Sequence, residues 1–405
     1  MNRSGGTNQN TKQMLSNSTV IKSKWKIQGK IGQGAFGETY SAVDLHSSED
    51  VAIKVEKLDN KKMVLKLEVI ALKKLQGCPY VVRYLHSGRQ DDFNFLVMER
   101  LGENLADLRK RTPRYNGSFS MNTTVRLGIQ MIESLEGVHK LGYIHRDVKP
   151  SNFVMGKAKN KRGRAYLIDF GLARKYRLPS GEIRPPRKSA GFRGTARYAS
   201  INSHHSKELG RRDDIWSVFY VLVEFALGCL PWRKIKDKEQ IGELKERFTN
   251  ADLVKDLPLE YKLFMEELQK MGYADEPDYD YFKKLLMDIY KRQGCSEEEP
   301  YDWNTKEKAQ MPPSREVSSI MDDAIITTGR NQTTANDERG YSSKPTPTTT
   351  TNTTTKLNAR IENGENYYNL FNPNEAKSVD RRNTPKPNSD NEVSDKKKGC
   401  HCCIM

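Results

Sequence analysis

The sequence predicts an α+β fold of two lobes, a small and mainly β lobe with one key helix followed by a larger, mainly helical one. Three observations predict it. Gly32, Gly34 and Gly37 lie between two strand-like stretches, and a β-branched run, Val51-Ala52-Ile53-Lys54, follows. The segment from Lys61 to Leu75 then has helical periodicity, and Phe93 to Met98 reads as another strand. Apolar segments alternating with turn signals continue to about Trp303 and include a long run, Ile215 to Trp232, read as a buried helix of the large lobe. The chain has 405 residues, room for a domain of about 250–300 residues plus tails.

Each element has its own justification. Ile27 and Ile31 precede the glycines, and Tyr40, Ala42 and Val43 follow them, so the glycines join two strands rather than opening a helix. In the helix that follows, Val64, Leu67, Ala71 and Leu75 are expected on one face with Glu68 among them. A carboxylate on an apolar face is costly unless paired, and Lys54 is the expected partner. Glu99-Arg100-Leu101-Gly102 follows the strand that ends at Met98. The run Ile215 to Trp232 is long enough to raise a membrane-span question. Glu224, Gly228 and Pro231 within it, and Asp213 and Asp214 before it, argue for a buried helix instead.

Composition bounds the partners. The formal net charge of +16 favours partners rich in carboxylate or phosphate. No RNA-binding aromatic signature, zinc-finger spacing or helical basic stripe points to nucleic acid. Cys78, Cys229 and Cys295 are scattered, and the other three of six cysteines crowd the end, which fits a reducing compartment and a cytoplasmic protein. The first residues lack an apolar signal-peptide core, and Asn2 does not fit N-myristoylation. Residues 1–24 are polar without periodicity and are expected to be disordered. So is the Thr/Asn-rich tail over 304–399, in which Tyr367, Tyr368, Leu370 and Phe371 form a small apolar island.

Five motifs carry chemistry. Gly32-Gln33-Gly34-Ala35-Phe36-Gly37 has the form G-x-G-x-x-G, and Val51 to Lys54 follows as V-A-I-K. Glu68 lies on the next helix. His145-Arg146-Asp147-Val148-Lys149-Pro150-Ser151-Asn152 sets a carboxylate, an ammonium and a carboxamide on one loop. Tyr166-Leu167-Ile168 is a short strand ending in Asp169-Phe170-Gly171. In this order and at these intervals the motifs resemble the protein kinases, and Lys149, two residues after Asp147, is the serine/threonine form.

That resemblance implies ATP and Mg2+ as cofactors. Asp147 would accept the substrate hydroxyl's proton, Lys149 and Lys54 would stabilise phosphate charge, and Asn152 and Asp169 would hold magnesium. Ile31 to Gly37, Thr39 in place of the usual valine, Ala52, Met98, Glu99 and Leu101 would enclose the nucleotide, with Glu99 to Gly102 as the hinge between a small lobe over 25–99 and a large lobe over 102–303. Asp214 is expected to anchor the catalytic-loop backbone. All four of Lys54, Asp147, Asn152 and Asp169 are present, which argues against the alternative of a catalytically weak, membrane-tethered scaffold.

Downstream, Ser200-Ile201-Asn202 stands where A-P-E is usual, as in the casein kinase 1 group. Leu72-Lys73-Lys74-Leu75-Gln76-Gly77, Asn104 to Arg109, Arg184-Pro185-Pro186-Arg187, Ala190 to Arg193, Asp213 to Ser217 and Pro231 to Gln240 resemble the tau-tubulin kinases within it. The resemblance runs from about Trp25 to Trp303. It implies activity without obligatory activation-loop phosphorylation and a preference for acidic or pre-phosphorylated protein sites, with cytoskeletal substrates named only by the family. Arg184, Arg187, Lys188, Arg193 and Arg197 could hold such an anion, or could pair internally with Asp213 or Asp214. A monomer is expected.

Residues 400–405 end the chain as Cys-His-Cys-Cys-Ile-Met after three lysines. Cys402 fits a farnesyl acceptor in a C-a-a-X signal, although Cys403 is not aliphatic; Cys400 could carry a palmitoyl chain. With the lysines these would anchor the protein to the cytoplasmic face of a membrane.

Overall fold

A computed structural model describes residues 13–34, 37–60, 63–112, 114, 117–248 and 251–304. Ala35 and Phe36 of the glycine-rich segment, the apolar island at Tyr367 to Phe371, and Cys400 and Cys402 lie outside the described residues.

The small lobe is a six-stranded antiparallel sheet. In chain order it contains β1 (Val20–Ile21), β2 (Trp25–Gln33), β3 (Glu38–Asp44) and β4 (Asp50–Lys57), then α1 (Val64–Lys74), then β5 (Tyr84–Gln90) and β6 (Phe93–Glu99). Spatial order is β1-β2-β3-β4-β6-β5. β3 alternates strictly, with Glu38, Tyr40, Ala42 and Asp44 inward, the period-2 pattern of a half-buried strand. Tyr40 and Ala42 pack with Trp25, Ile27, Ile53, Val55, Phe95 and Val97.

Ordered structure begins before Trp25. Leu15 and Ile21 are buried in this core, and the Met14 amide donates to Glu38 Oε2 at 2.8 Å. Two apolar side chains in a polar stretch leave no periodicity to read, which is why composition places the start of the fold too late.

Of the face expected on α1, Glu68, Ala71 and Leu75 are buried, but Leu67 is not. Leu65, Glu68, Val69, Ala71 and Leu72 are buried, whereas Leu67 is 56% exposed. The buried stripe is turned toward Leu65, Val69 and Leu72 and away from Leu67, while Glu68 stays on it. Glu56 of β4 fixes the helix start by accepting from the amides of Val64 at 3.1 Å and Leu65 at 3.3 Å.

The large lobe opens with α2 (Leu105–Arg111) and α3 (Met121–Lys140), then four short strands: β7 (Tyr143–Ile144), β8 (Phe153–Met155), β9 (Ala165–Leu167) and β10 (Arg174–Lys175). It continues with α4 (Ile201–His204), α5 (Arg211–Leu227), α6 (Lys238–Arg247), α7 (Leu259–Lys270) and α8 (Tyr279–Arg292). Asn104, Ser120, Asp237 and Asp278 cap α2, α3, α6 and α8 through their side chains, as short polar residues do. Burial around nearly the whole circumference of α5 explains its unbroken apolar sequence. Phe219 stacks on Phe264, which contacts Phe282 with ring centroids 4.4 Å apart. Among the described residues no helix is long and apolar enough to cross a membrane.

The short strands position the site. β8 pairs with β9, fixing Phe153 opposite Leu167, and β7 pairs with β10, fixing Ile144 opposite Arg174. The chain from 145 to 152 is thereby held beside the chain from 168 to 173. Cys78, Cys229 and Cys295 are free thiols.

Candidate active site

Between the lobes lies a cleft of about 850 Å³. Its lining includes Ile31, Gly32, Gln33, Gly34, Gly37, Thr39, Ala52, Lys54, Glu68, Met98, Glu99, Leu101, Asp147, Lys149, Asn152 and Asp169. Every described residue expected around nucleotide, metal or phosphoryl group therefore meets in one place.

On the small-lobe side, β4 delivers Lys54. Its ammonium sits 2.7 Å from Glu68 Oε2 on α1 and 2.9 Å from Asp169 Oδ1 in the large lobe. Burial works to lower the Lys54 pKa, but the two carboxylates outweigh it and hold the ammonium charged. Burial pushes Glu68 up to about 7 against the pull of Lys54. Burial also raises Asp169, yet Lys54 keeps it below the usual carboxylate range. Gly37 must be glycine because a Cβ there would lie 2.0 Å from the Val55 carbonyl oxygen of β4.

The large-lobe side holds strained backbone. Arg146 and Asp169 have φ of 66° and 64°, left-handed values that cost non-glycine residues about 1–3 kcal/mol each. Surrounding bonds maintain them. Asp214, at the start of α5, accepts from the amides of His145 at 2.7 Å and Arg146 at 2.8 Å. His145 Nε2 lies 3.0 Å from the Ile168 carbonyl, and Arg146 Nε donates to the Leu172 carbonyl at 2.7 Å. Although burial raises the Asp214 carboxyl, His139 and the His145 amide hold it below its ordinary value. Asp214 thus grips the backbone of the loop, as its sequence position implies.

Asp147 is engaged on both oxygens. Lys149 Nζ donates to Oδ2 at 2.6 Å and Thr195 Oγ1 donates to Oδ1 at 2.7 Å. Lys149 also reaches Thr195 Oγ1 at 3.2 Å. Thr195 is a site residue the sequence reading passes over. The available signal was Gly194, whose φ is 98° and whose Cβ would come 2.6 Å from the Arg146 carbonyl oxygen. A glycine in a basic segment announces a tight approach, but not that Asp147 is what it approaches.

The donor set fits magnesium. Asn152 Nδ2 donates to the Asp147 carbonyl at 2.9 Å, so the amide oxygen points the other way. Asp169 offers the cleft a carboxylate that is 39% exposed. Two oxygen ligands with phosphate oxygens completing the shell suit this ion, which seldom uses an all-protein cage.

The basic candidates for substrate anion, Arg184, Arg187, Lys188, Arg193 and Arg197, do not line the cleft. Arg187 donates through Nε and Nη2 to Glu208. Arg197 lies 3.7 Å from Glu224 and donates to the Arg233 carbonyl at 3.4 Å. Arg193 donates to the Phe192 carbonyl at 2.7 Å, and the Arg184 Nε is buried without a hydrogen-bond partner. The internal counter-ions are therefore Glu208 and Glu224 rather than Asp213 and Asp214. Asp213 is occupied by Ser200 at 2.7 Å, Asn202 at 2.9 Å and the Gly210 amide at 2.7 Å. This gives the Ser-Ile-Asn sequence a structural role: it ties the end of the segment to the start of α5.

A family model described as protein kinase domain matches residues 25–318. A probable serine/threonine-protein kinase of Dictyostelium discoideum is 58% identical over 288 residues. The match covers 71% of this chain and 58% of that protein, so the chain spans less than two thirds of that relative's length.

Proposed function

The chain belongs to the protein kinase family, and from that premise we propose that it transfers the γ-phosphate of MgATP to serine and threonine hydroxyls of proteins. One observation carries the reading: Lys54, bridged to Glu68 and Asp169, faces Asp147, Lys149 and Asn152 across a single cleft. Phosphoryl transfer asks mainly for positioning and charge stabilisation, and these groups supply both. Lys54 holds the α- and β-phosphates while Glu68 keeps its ammonium in place. The backbone of the glycine-rich segment approaches the phosphates, and Met98, Glu99 and Leu101 enclose the base. Bound by Asp169 and Asn152, magnesium would neutralise charge between the phosphates. Asp147 Oδ1, where Thr195 donates, orients the incoming hydroxyl and accepts its proton, and Lys149 screens the phosphoryl oxygens.

The test is ATP turnover on a protein substrate by wild type and Asp169→Asn. Loss of phosphorylation in the variant supports catalysis. Equal, low activity in both proteins supports a tethered scaffold instead.

The finer reading is a casein kinase 1 group enzyme resembling the tau-tubulin kinases, acting on acidic or pre-phosphorylated protein sites. The sequence strings around Ser200-Ile201-Asn202 support the group, and the basic segment Arg184 to Arg197 supports the preference. An anion at Arg187 or Arg197 has to compete with Glu208 or Glu224, so Arg184 and Arg193 are the better placed readers. Arg193→Ala with undiminished preference for acidic peptides would remove it from that role. Cytoskeletal substrates follow from the resemblance alone. The same reading puts the enzyme in the cytoplasm, at the cytoplasmic face of a membrane if Cys402 is farnesylated and Cys400 palmitoylated. That requires Met405 to end the native chain, which mass spectrometry of its C-terminal peptide reads directly; a free Cys402 thiol refutes prenylation.

A further inference from the structure

In many kinases the activation segment is ordered by a phosphate that recruits arginines. Here the arginines already have a carboxylate. Glu208 lies between α4 and α5 with only 1% of its side chain exposed. Arg187, in the activation segment, donates to it through two nitrogens, and Arg174 of β10 lies 3.4 Å away. Arg146 of the catalytic loop, whose Nε is taken by the Leu172 carbonyl, feels Glu208 only as a more distant charge. Glu208 is thus the resident anion for cations from the strand after Asp169-Phe170-Gly171 and from the activation segment. Burial alone would raise its pKa, but Arg187 and Arg174 hold it below its ordinary value. The Ala190 amide donates to the Ser206 carbonyl at 2.9 Å, and the Arg193 amide donates to Ser203 Oγ at 3.2 Å. Both bonds carry the segment from this anchor toward Thr195 and Asp147.

We infer that Glu208 is a positioning residue, a built-in counter-ion that does for the activation segment what a phosphate on that segment does elsewhere. The inference rests on the kinase reading. It differs from a merely structural ion pair in what can replace it. A pocket of two guanidinium groups, Arg174 and Arg187, that has lost its carboxylate should accept a tetrahedral dianion.

The experiment uses the full chain with Glu208→Ala and inorganic sulfate as the probe. Peptide turnover in the variant is expected to fall at least ~10-fold, with the Michaelis constant for ATP moved less than twofold. Sulfate at tens of millimolar should restore a large part of that loss, and chloride at equal ionic strength should not. Glu208→Ala/Arg187→Ala should fall similarly and show no rescue. Trypsin cutting at Lys188 and Arg193 gives a readout independent of catalysis: faster in Glu208→Ala, slowed by sulfate. If Glu208→Ala does not fold, Arg187→Ala, on a half-exposed side chain, takes its place and is expected to show the same loss and the same faster cutting. Wild-type turnover in the folded variant, or a loss that sulfate does not touch in either turnover or cutting, overturns the inference. Absence of turnover in wild type overturns the kinase reading instead, and the trypsin comparison still decides whether Glu208 orders the segment.

Discussion

Lys54 shares one ammonium between Glu68 at 2.7 Å and Asp169 at 2.9 Å, and this sharing makes its removal informative. Lys54→Met leaves Glu68 buried without a counter-ion, which costs about 3–5 kcal/mol. Adding Glu68→Leu should return most of that stability without returning turnover, because stability needs the pair matched and phosphate positioning needs the cation. Thermal melts beside a kinase assay distinguish the two. Glu68 also gives a pH signature. Its folded-state pKa, about 7, is above the ordinary 4.5, so its contribution to stability is fully present below 4.5 and lost as pH rises through 7. Lys54 stays charged throughout that window and adds no slope. Wild type should therefore lose stability relative to Glu68→Gln between pH 4.5 and 7, by about 3 kcal/mol at most. Turnover should move oppositely, rising as Glu68 ionises and grips Lys54, and Glu68→Gln should lack that rise. Thr195 has a simpler expectation. Its hydroxyl donates to the Asp147 carboxylate at 2.7 Å, a charge-assisted bond of about 1.5–3 kcal/mol. Thr195→Ala should cut turnover about 10- to 100-fold with ATP affinity unchanged, and Thr195→Ser should restore it.

At the level of elements, the activation segment is coupled to the catalytic loop by close backbone contact. Gly194, at φ 98°, leaves 2.6 Å between its absent Cβ and the Arg146 carbonyl oxygen. A methyl group there faces rigid backbone on a loop already strained at Arg146. Gly194→Ala should push the segment away from Asp147, costing about 1–3 kcal/mol in stability and nearly all turnover. A melt and an assay on the same preparation measure both. α1 shows the opposite kind of freedom. Its sequence permits Leu67 or Leu72 on the face that carries Glu68, and packing buries Leu72 and leaves Leu67 exposed. Leu67→Lys should be tolerated within about 0.5 kcal/mol, whereas Leu72→Ala should cost about 2–5 kcal/mol.

Across the whole molecule, the small lobe depends on residues that composition assigns to a tail. Leu15 and Ile21 fill the sheet's core, and Met14 bonds Glu38. Deleting residues 1–24, which removes Leu15 and Ile21, should lower the melting temperature by several degrees in a thermal melt. The two lobes meet at the cleft where Lys54 reaches Asp169, and outside it where Lys161 bonds Glu99, Lys157 bonds Asp50 and Val81 bridges to Leu167. The sequence by itself determined the order of the motifs, the alternation of β3, the capped helices and the chemical identity of the groups at the cleft. These are local: a period, a cap or a short loop is written in neighbouring residues. Only the tertiary structure decided which stripe of α1 is buried, that Thr195 closes on Asp147, and that Arg187 and Arg197 answer Glu208 and Glu224. Those pairings join residues 21 to 48 positions apart, and no local periodicity constrains which of several equally suitable carboxylates or hydroxyls a side chain meets when the chain folds back on itself.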